Sequence, residues 1–309
     1  MHNSMPIFAL NLYSCYYYTY KASQKELLMK IDYCSDPHFD AYFNPNRPLD
    51  EKAFRAFYEP FIFAKGRTPG EVLVIAGDLS HENTLSLEAL KLLKRYYSHI
   101  VCVLGNHDYY LSSARQLKEF SDSFERVETM RALINSQEGL HCLDGTVVTI
   151  NGMRFGGCDS WYNSAYEKHY FLNRVFTQSS TNEMWKKAMM DAKFIKGVKD
   201  FDAIFAIEKP KLEAVYSSCD VMLTHVNPSF KKAHLDPSWK NDPTSVFFSF
   251  GGHEYLKEGT MQYWIFGHTH TKIQYELHGV SVLCNPIGYP GEPNQFRMES
   301  FEIDKGDIR

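Results

Sequence analysis

The sequence predicts an α/β protein with a layered βαβ core, and three observations carry that reading. Short apolar runs bounded by glycine or turn residues alternate with helix-like stretches in the first third of the chain. A strand rhythm returns between residues 219 and 303. No fixed-period repeat or long Gly/Ser linker separates the two regions. With 309 residues, 44% apolar and 23% charged, the chain is long enough for one large domain or two small ones. Its composition is globular rather than disordered or fibrous.

The elements follow in order. Leu27–Ser35 (LLMKIDYCS) reads as a strand, and the aromatic-rich Leu49–Phe63 as a helix closed by the turn residues RTPG. Glu71–Gly77 (EVLVIAG) is short, continuously apolar and bounded by glycine, as a buried strand should be. Leu87, Leu90 and Leu93 recur at helical spacing within Thr84–Tyr97, and His99–Gly105 (HIVCVLG) is the next strand. Strand, helix, strand, helix, strand implies a layered core. GTVVTINGMRFGGC reads as a hairpin turning at Asn151-Gly152. From Asp159 to about Ser218 there is no clear strand. TNEMWKKAMMDAKFI looks helical there, and WYNSAYEKHYF is aromatic and irregular. CDVMLTH, MQYWIFG, TKIQYEL, GVSVLC and QFRMESFEI then resume the strands.

This pattern predicts one domain over residues 29–309 with an insertion or cap at about 160–218; two independent domains are the alternative. Residues 1–28 are expected to form a leader or extension. They are apolar and tyrosine-rich, lack the basic start of a secretory signal, and are interrupted by Asn11 and Ser14. A packed extension and a membrane-associated segment are the other readings of this tract.

A net charge of -4 gives no broad electrostatic reason to hold nucleic acid or an anionic membrane. Seven cysteines (Cys15, Cys34, Cys102, Cys142, Cys158, Cys219, Cys284) form no CxxC pair, and several lie in apolar strand-like runs. Free buried thiols in a reducing, cytoplasmic compartment are expected.

Five fragments place ligand-type residues just after a strand. They are CSDPHF (Asp36, His38), AGDLS (Asp78), GNHD (Asn106, His107), LTHVNPS (His225) and GHTH (His268, His270). Residues just beyond strand ends in layered α/β proteins face a shared crevice. Carboxylate and imidazole suit Zn, Mn, Fe or Ni, whereas a calcium site would favour oxygen donors throughout. Asp36, Asp78, Asn106 and four histidines exceed what one tetrahedral ion requires and are about right for two ions sharing a carboxylate. Such a pair suits hydrolysis at phosphorus. Taken singly each fragment has an ordinary reading as a turn, a surface pair or a core histidine; the ordered set does not.

These residues resemble the calcineurin-like metallophosphoesterase superfamily over roughly residues 29–300. The resemblance implies a four-layer α/β/β/α sandwich of two mixed sheets flanked by helices, around a binuclear centre. It assigns Asp36, His38 and His270 to one metal, Asn106, His225 and His268 to the second, and Asp78 to both. His107 resembles the histidine that contacts the substrate phosphate and protonates the leaving oxygen. CNPIGYP, Cys284–Pro290, resembles a terminal strand-and-loop signature of smaller bacterial-type members.

One position departs from the pattern. Many members carry an aspartate three residues after the bridging one, where this chain has His81 in GDLSH. Asp108, a backbone carbonyl or His81 itself must then orient His107. Asp159 is a further candidate for the pocket wall. Trp161, Tyr162 and Tyr166 offer either base stacking or packing, and the lysines between 186 and 199 either phosphate attraction or a solvated face.

The expected activity is metal-dependent hydrolysis of phosphodiesters or phosphomonoesters, the substrate including nucleotide-like esters and the ions being two divalent transition metals, manganese first. A DNA exonuclease-like nuclease and a non-catalytic phosphoesterase-like scaffold are the alternatives.

Overall fold

The computed structural model describes residues 28–171, 177–292 and 296–304. Residues 1–27, where nearly all of the expected leader falls, lie outside the described residues.

Two mixed sheets form the centre. In the first, β1 (Leu28–Cys34), β2 (Val72–Ala76), β3 (His99–Val103) and β4 (Leu140–Cys142) run parallel, and β11 (Glu299–Asp304) pairs antiparallel with β1. The second has the order β5 (Thr146–Ile150), β6 (Met153–Gly157), β7 (Val221–Leu223), β8 (Tyr263–Phe266), β10 (Val280–Cys284) and β9 (Ile273–Leu277). Its four inner strands are parallel, and β5 and β9 are antiparallel edges.

The period-2 alternation of strand side chains creates the layers. Val72, Val74 and Ala76 of β2 and Val101 and Val103 of β3 meet Phe155, Val221, Leu223 and Ile265 in a core between the sheets. Leu73 and Ile75, then Ile100 and Cys102, point the other way into the helices. The result is an α/β sandwich of two mixed sheets flanked by helices.

Helix α1 (Glu51–Ile62) starts where the Asp50 carboxylate accepts from the backbone N–H of Lys52 and Ala53. It buries Phe54, Tyr58 and Ile62, one face at four-residue spacing. Helix α2 (Asn83–Leu93) buries Leu85, Ala89, Leu90 and Leu93. Helix α3 (Ser123–Asn135), capped by Asp122, is an element that the sequence pattern does not announce. It buries Arg126 and Arg131 beside Val127 and Met130, so its inner face is not an apolar stripe.

The hairpin β5–β6 turns at Asn151 (φ 49°) and Gly152 (φ 89°), the double positive φ of a tight two-residue turn. TNEMWKKAMMDAKFI is not one helix. α4 (Gln178–Ala188) ends as Met189 becomes extended, and a separate turn follows at Asp191–Phe194. The irregular aromatic stretch contains a short helix at Ala165–Tyr170, and α5 (Ala203–Val215) packs on β5 and β6. Among the described residues no helix is long and apolar enough to cross a membrane.

The Tyr58 ring stacks on Phe54 at 4.6 Å, while its buried hydroxyl has no hydrogen-bond partner among the described residues. Tyr58→Phe should therefore stabilise the fold by about 1 kcal/mol, because it removes an unsatisfied polar group and keeps the ring. Urea denaturation reads the change, and a lower midpoint would contradict it.

Candidate metal centre

The loops after β1, β2, β3, β7 and β8 are stitched together at one edge of the sandwich. Asp36 N–H donates to Gly77 O at 3.1 Å, His38 N–H to Asp78 O at 3.0 Å, and Gly267 N–H to His225 O at 2.9 Å. Two glycines permit this closeness. A Cβ on Gly77, whose φ is +85°, would lie 2.4 Å from His225 Nδ1; one on Gly105 would lie 2.2 Å from Asp78 Oδ1.

Two groups of side chains result. In the first, His38 Nε2 lies 2.9 Å from His270 Nε2 and 3.6 Å from Asp78 Oδ2, and His270 Nε2 lies 3.7 Å from Asp36 Oδ1. Ligand atoms of Asp36, His38, Asp78 and His270 all fall within 4.8 Å of one another. In the second, Asn106 Oδ1 is 3.0 Å from both His225 Nε2 and His268 Nδ1, and His225 Nε2 is 3.4 Å from Asp78 Oδ1. Asp78 thus turns one carboxylate oxygen to each group.

The donor chemistry fits cations. His225 Nδ1 lies 2.9 Å from Ala76 O, and His268 Nε2 lies 2.9 Å from Phe247 O. Donation to a carbonyl fixes the proton on that nitrogen and leaves the other with its lone pair. In neutral rings His225 Nε2 and His268 Nδ1 then face Asn106 Oδ1 as three acceptors without a proton. His270 Nδ1 lies 2.9 Å from Glu292 Oε1, which likewise leaves Nε2 a lone pair toward His38. The second oxygen of Asp36, Oδ2, is buried with no hydrogen-bond partner among the described residues. A positive charge in each group resolves these conflicts.

The electrostatics express the same tension. Burial opposes charge on His225, but Asp78 beside it overrides burial and raises its pKa to about 10. Burial and the neighbouring His225 push His268 down to about 4. Burial alone would raise the Asp78 carboxyl, yet the charges of His225 and His107 hold it well below the usual range. Burial raises Asp36.

His107 stands at the rim of this arrangement. Its backbone N–H donates to Asp78 Oδ1 at 2.8 Å, and its Nδ1 lies 2.8 Å from His81 Nε2. His81 Nδ1 in turn lies 3.0 Å from Asp40 Oδ2. The order is Asp40, His81, His107, with the planes of the two rings nearly parallel (5°). The Tyr289 hydroxyl sits 3.3 Å from the His107 ring nitrogens, and its ring stacks on His38 at 4.3 Å.

Two neighbouring acids lie elsewhere. Asp108 accepts from the backbone N–H of Leu79, Ser80 and Gly105, not from the His107 ring. Its position fits a strut between loops. Asp159 is fully buried and accepts from Leu104 N–H, Tyr109 OH and Arg131. Asp144, Asp159 and Glu208 form a second acidic group, but Arg131 and Lys211 lie among them and supply the counter-charge. Trp161, Tyr162 and Tyr166 are buried, so they pack rather than stack on a base. Lys186 pairs with Glu183, and Lys196 donates to Lys193 O.

Sequence reasoning missed Asp40, Tyr289, Glu292 and Asp191. Tyr289 lay inside CNPIGYP, whose Gly/Pro turn was the available signal; Asp40 lay two residues after His38. Glu292 and Asp191 carry no local signal.

The chain matches the calcineurin-like phosphoesterase family over residues 29–272 and belongs to it. It is a metal-dependent phosphoesterase with a binuclear metal centre. An uncharacterized protein of Acanthamoeba polyphaga mimivirus is 20% identical over 247 residues, 75% of this chain and 84% of that protein. The crystal structure of phosphopantetheinyl hydrolase (PptH) from Mycobacterium tuberculosis is similar with a TM-score of 0.62 and 15% identity, covering 88% of this chain and 95% of that one. GAP50, the anchor in the inner membrane complex of Plasmodium, gives a TM-score of 0.37 and 10% identity over 92% of this chain and 86% of that one.

The close approach at Gly77 yields a test of the loop geometry. Gly77→Ala adds a Cβ in a left-handed backbone and against the His225 ring, and should cost about 3 kcal/mol of stability. Urea denaturation of the metal-free protein measures it. A change below a few tenths would show that the β2 and β7 loops are not held this tightly.

Proposed function

We propose that this calcineurin-like phosphoesterase hydrolyses small phosphate monoesters or diesters, nucleotide-like esters among them, with the side chains above in defined roles. Asp36, His38, His270 and Asp78 would hold one divalent ion, and Asn106, His225 and His268, with Asp78 shared, would hold the other. The observation that carries the reading is the convergence of pinned lone pairs on two adjacent points with one carboxylate between them. Carboxylate, amide and imidazole donors without thiolate suit manganese first, with iron, zinc and nickel as alternatives. When bound, the ions neutralise phosphate charge and lower the pKa of a water nucleophile.

The remaining work falls to the rim. His107 holds the proton destined for the leaving oxygen, and His81 meets its Nδ1 so that Nε2 is the nitrogen left for substrate. Burial opposes charge on His81, but its bond to Asp40 outweighs this and raises its pKa. Burial lowers that of His107. Those directions suit a relay in which His107 gives its Nε2 proton to the leaving oxygen and takes the His81 proton at Nδ1. His81 then goes from charged to neutral while His107 begins and ends neutral, and Asp40 stabilises the starting charge on His81. Tyr289 OH offers a hydrogen bond beside the same ring.

Residues 160–218 act as an insertion that covers the site and limits access, on a domain spanning 29–309. The nuclease reading lacks a basic track: net charge is -4, and the insertion's Lys186 is already paired. PptH is named for hydrolysis of a phosphopantetheinyl group, and at 15% identity the likeness carries the fold alone. Six described cysteines are buried and free, which favours a reducing, cytoplasmic setting.

Metal analysis of the purified protein, with p-nitrophenyl and bis-p-nitrophenyl phosphate assayed across Mn, Ni, Zn and Mg, tests the reading. Two ions per chain and chelator-sensitive hydrolysis are expected. One ion or none, or hydrolysis indifferent to chelator, would overturn it.

His107→Ala should keep both ions and slow poor-leaving-group esters by about 10²–10⁴-fold, the range of general acid catalysis. The penalty should shrink for p-nitrophenyl esters, whose leaving group needs little protonation. His81→Ala should show the same dependence on leaving group with a smaller loss. Loss of metal in His107→Ala, or a rate loss confined to His81→Ala, contradicts this division of labour.

A further inference from the structure

We infer that Asp191, contributed by the 160–218 segment, is a positioning residue that fixes which end of the Asn106 amide faces the metal centre. The inference rests on the assignment of Asn106 as a ligand. A carboxamide has nearly the same shape with its oxygen and nitrogen exchanged, but the two ends have opposite hydrogen-bonding roles. Only Oδ1 can serve a cation. Packing alone does not choose between the ends; the partner of the other end does.

That partner is a buried carboxylate. Asn106 Nδ2 donates to Asp191 Oδ1 at 2.8 Å and to the Tyr110 hydroxyl oxygen at 3.1 Å. Asp191 is fully buried, and Asn106, Tyr110 and Tyr162 all donate to its carboxylate oxygens. The exchanged amide would set Asn106 Oδ1 against Asp191 and aim an NH2 group at His225 and His268. The first contact would set two acceptors against each other, and the second would place N–H protons where the ion binds. With Nδ2 toward Asp191, Oδ1 lies 3.0 Å from each histidine nitrogen.

Asp191 is itself held. Tyr110 OH donates to Oδ1 at 2.5 Å, Tyr162 OH donates to Oδ2 at 2.6 Å, and Trp185 Nε1 donates to the Tyr162 oxygen at 2.6 Å. Tyr162, Trp185 and Asp191 all belong to the inserted segment. The tautomers of His225 and His268 are set by backbone carbonyls of Ala76 and Phe247. Asn106 differs, because its orientation depends on a side chain from outside the strand-end loops. The segment therefore has a function inside the site as well as over it.

Exchanging donor and acceptor across this one hydrogen bond tests the inference. Manganese binding to the metal-stripped full chain would be measured by calorimetry, with metal-free melting recorded for every variant. Two ions on the wild type are the starting condition; fewer would overturn the binuclear reading itself, and this inference with it. Asp191→Asn should weaken one of the two ions by about 10- to 100-fold, the usual effect of losing a partner behind a ligand. Asn106→Asp sets two carboxylates face to face and should weaken that ion at least as much. Combining Asn106→Asp with Asp191→Asn restores a donor opposite an acceptor and should recover most of the lost affinity. A merely structural role for Asp191 gives no such recovery. Wild-type affinity in Asp191→Asn, or a double variant no better than its parents, would overturn the inference. If Asp191→Asn alone does not fold, the double variant read against Asn106→Asp decides in the same way.

Discussion

Asp78 lies between two groups of acceptors that have too few protons to satisfy them, and the rest of the structure accommodates that conflict. Of the seven side chains around it, itself included, five have a left-handed backbone: Asp36 (φ 51°), His38 (39°), Asp78 (58°), His268 (71°) and His270 (49°). None is glycine, and each such residue costs about 1–3 kcal/mol relative to an ordinary conformation. Lateral backbone bonds hold the strained loops: His225 N–H to Asp159 O, Gly288 N–H to Asp36 O and Phe39 N–H to Leu79 O. Arg126 adds donors to Ser80 O, His107 O and Tyr110 O, tying the β2 and β3 loops to α3. Strain and buried lone pairs persist because cation binding favours the state that carries them. Folding and metal affinity are therefore linked in this chain.

The strands were legible because burial imposes short apolar runs, and the loops because ligand-type residues followed those runs. Asp36, His38, Asp78, Asn106, His225, His268 and His270 converge as a consequence of parallel strands ending at one edge. What was not legible depends on partners far away in sequence. Asp191 sits 85 residues from Asn106, in a lysine-rich stretch that reads as a solvated helix. Its burial comes from Tyr110 and Tyr162, which no periodicity connects to it. Glu292 meets His270 across a loop rather than a strand. Helix α3 lacked an apolar stripe because its inner face carries Arg126 and Arg131, and β4 is three residues long.

Among the acids, proximity in sequence does not predict contact with the His107 ring. Asp108 follows His107 directly, yet its carboxylate gathers three amide N–H groups and sets the loop's shape rather than the ring's tautomer. Burial and the nearby Asp78 charge push Asp108 up to about 7, while those amides favour its ionised form. Asp159 holds the same loop through Leu104 N–H and Tyr109 OH. The two carboxylates hold the chain on either side of Asn106–His107 in sequence, at Leu104, Gly105 and Tyr109. They stabilise the turn's geometry without touching either functional side-chain atom.

Replacing a carboxylate by the His81 imidazole changes the electrostatics more than the geometry. The hydrogen bond to His107 Nδ1 is kept at 2.8 Å, and a carboxylate is still present, one ring further away at Asp40. Coulomb attraction falls with distance: about 4 kcal/mol at 4 Å for an effective dielectric of 20, and about half that at twice the separation. A charged His107 is therefore less stabilised than it would be beside a carboxylate. The charge is better held on His81, in direct contact with Asp40, and this matches the opposite directions in which the two rings are shifted. An intervening imidazole thus favours a resting proton away from the buried, cation-binding face, one hydrogen bond from His107, the ring proposed to face the leaving oxygen. With positive charge already concentrated around Asp78, that displacement removes a repulsion that a charged His107 would otherwise add at the rim.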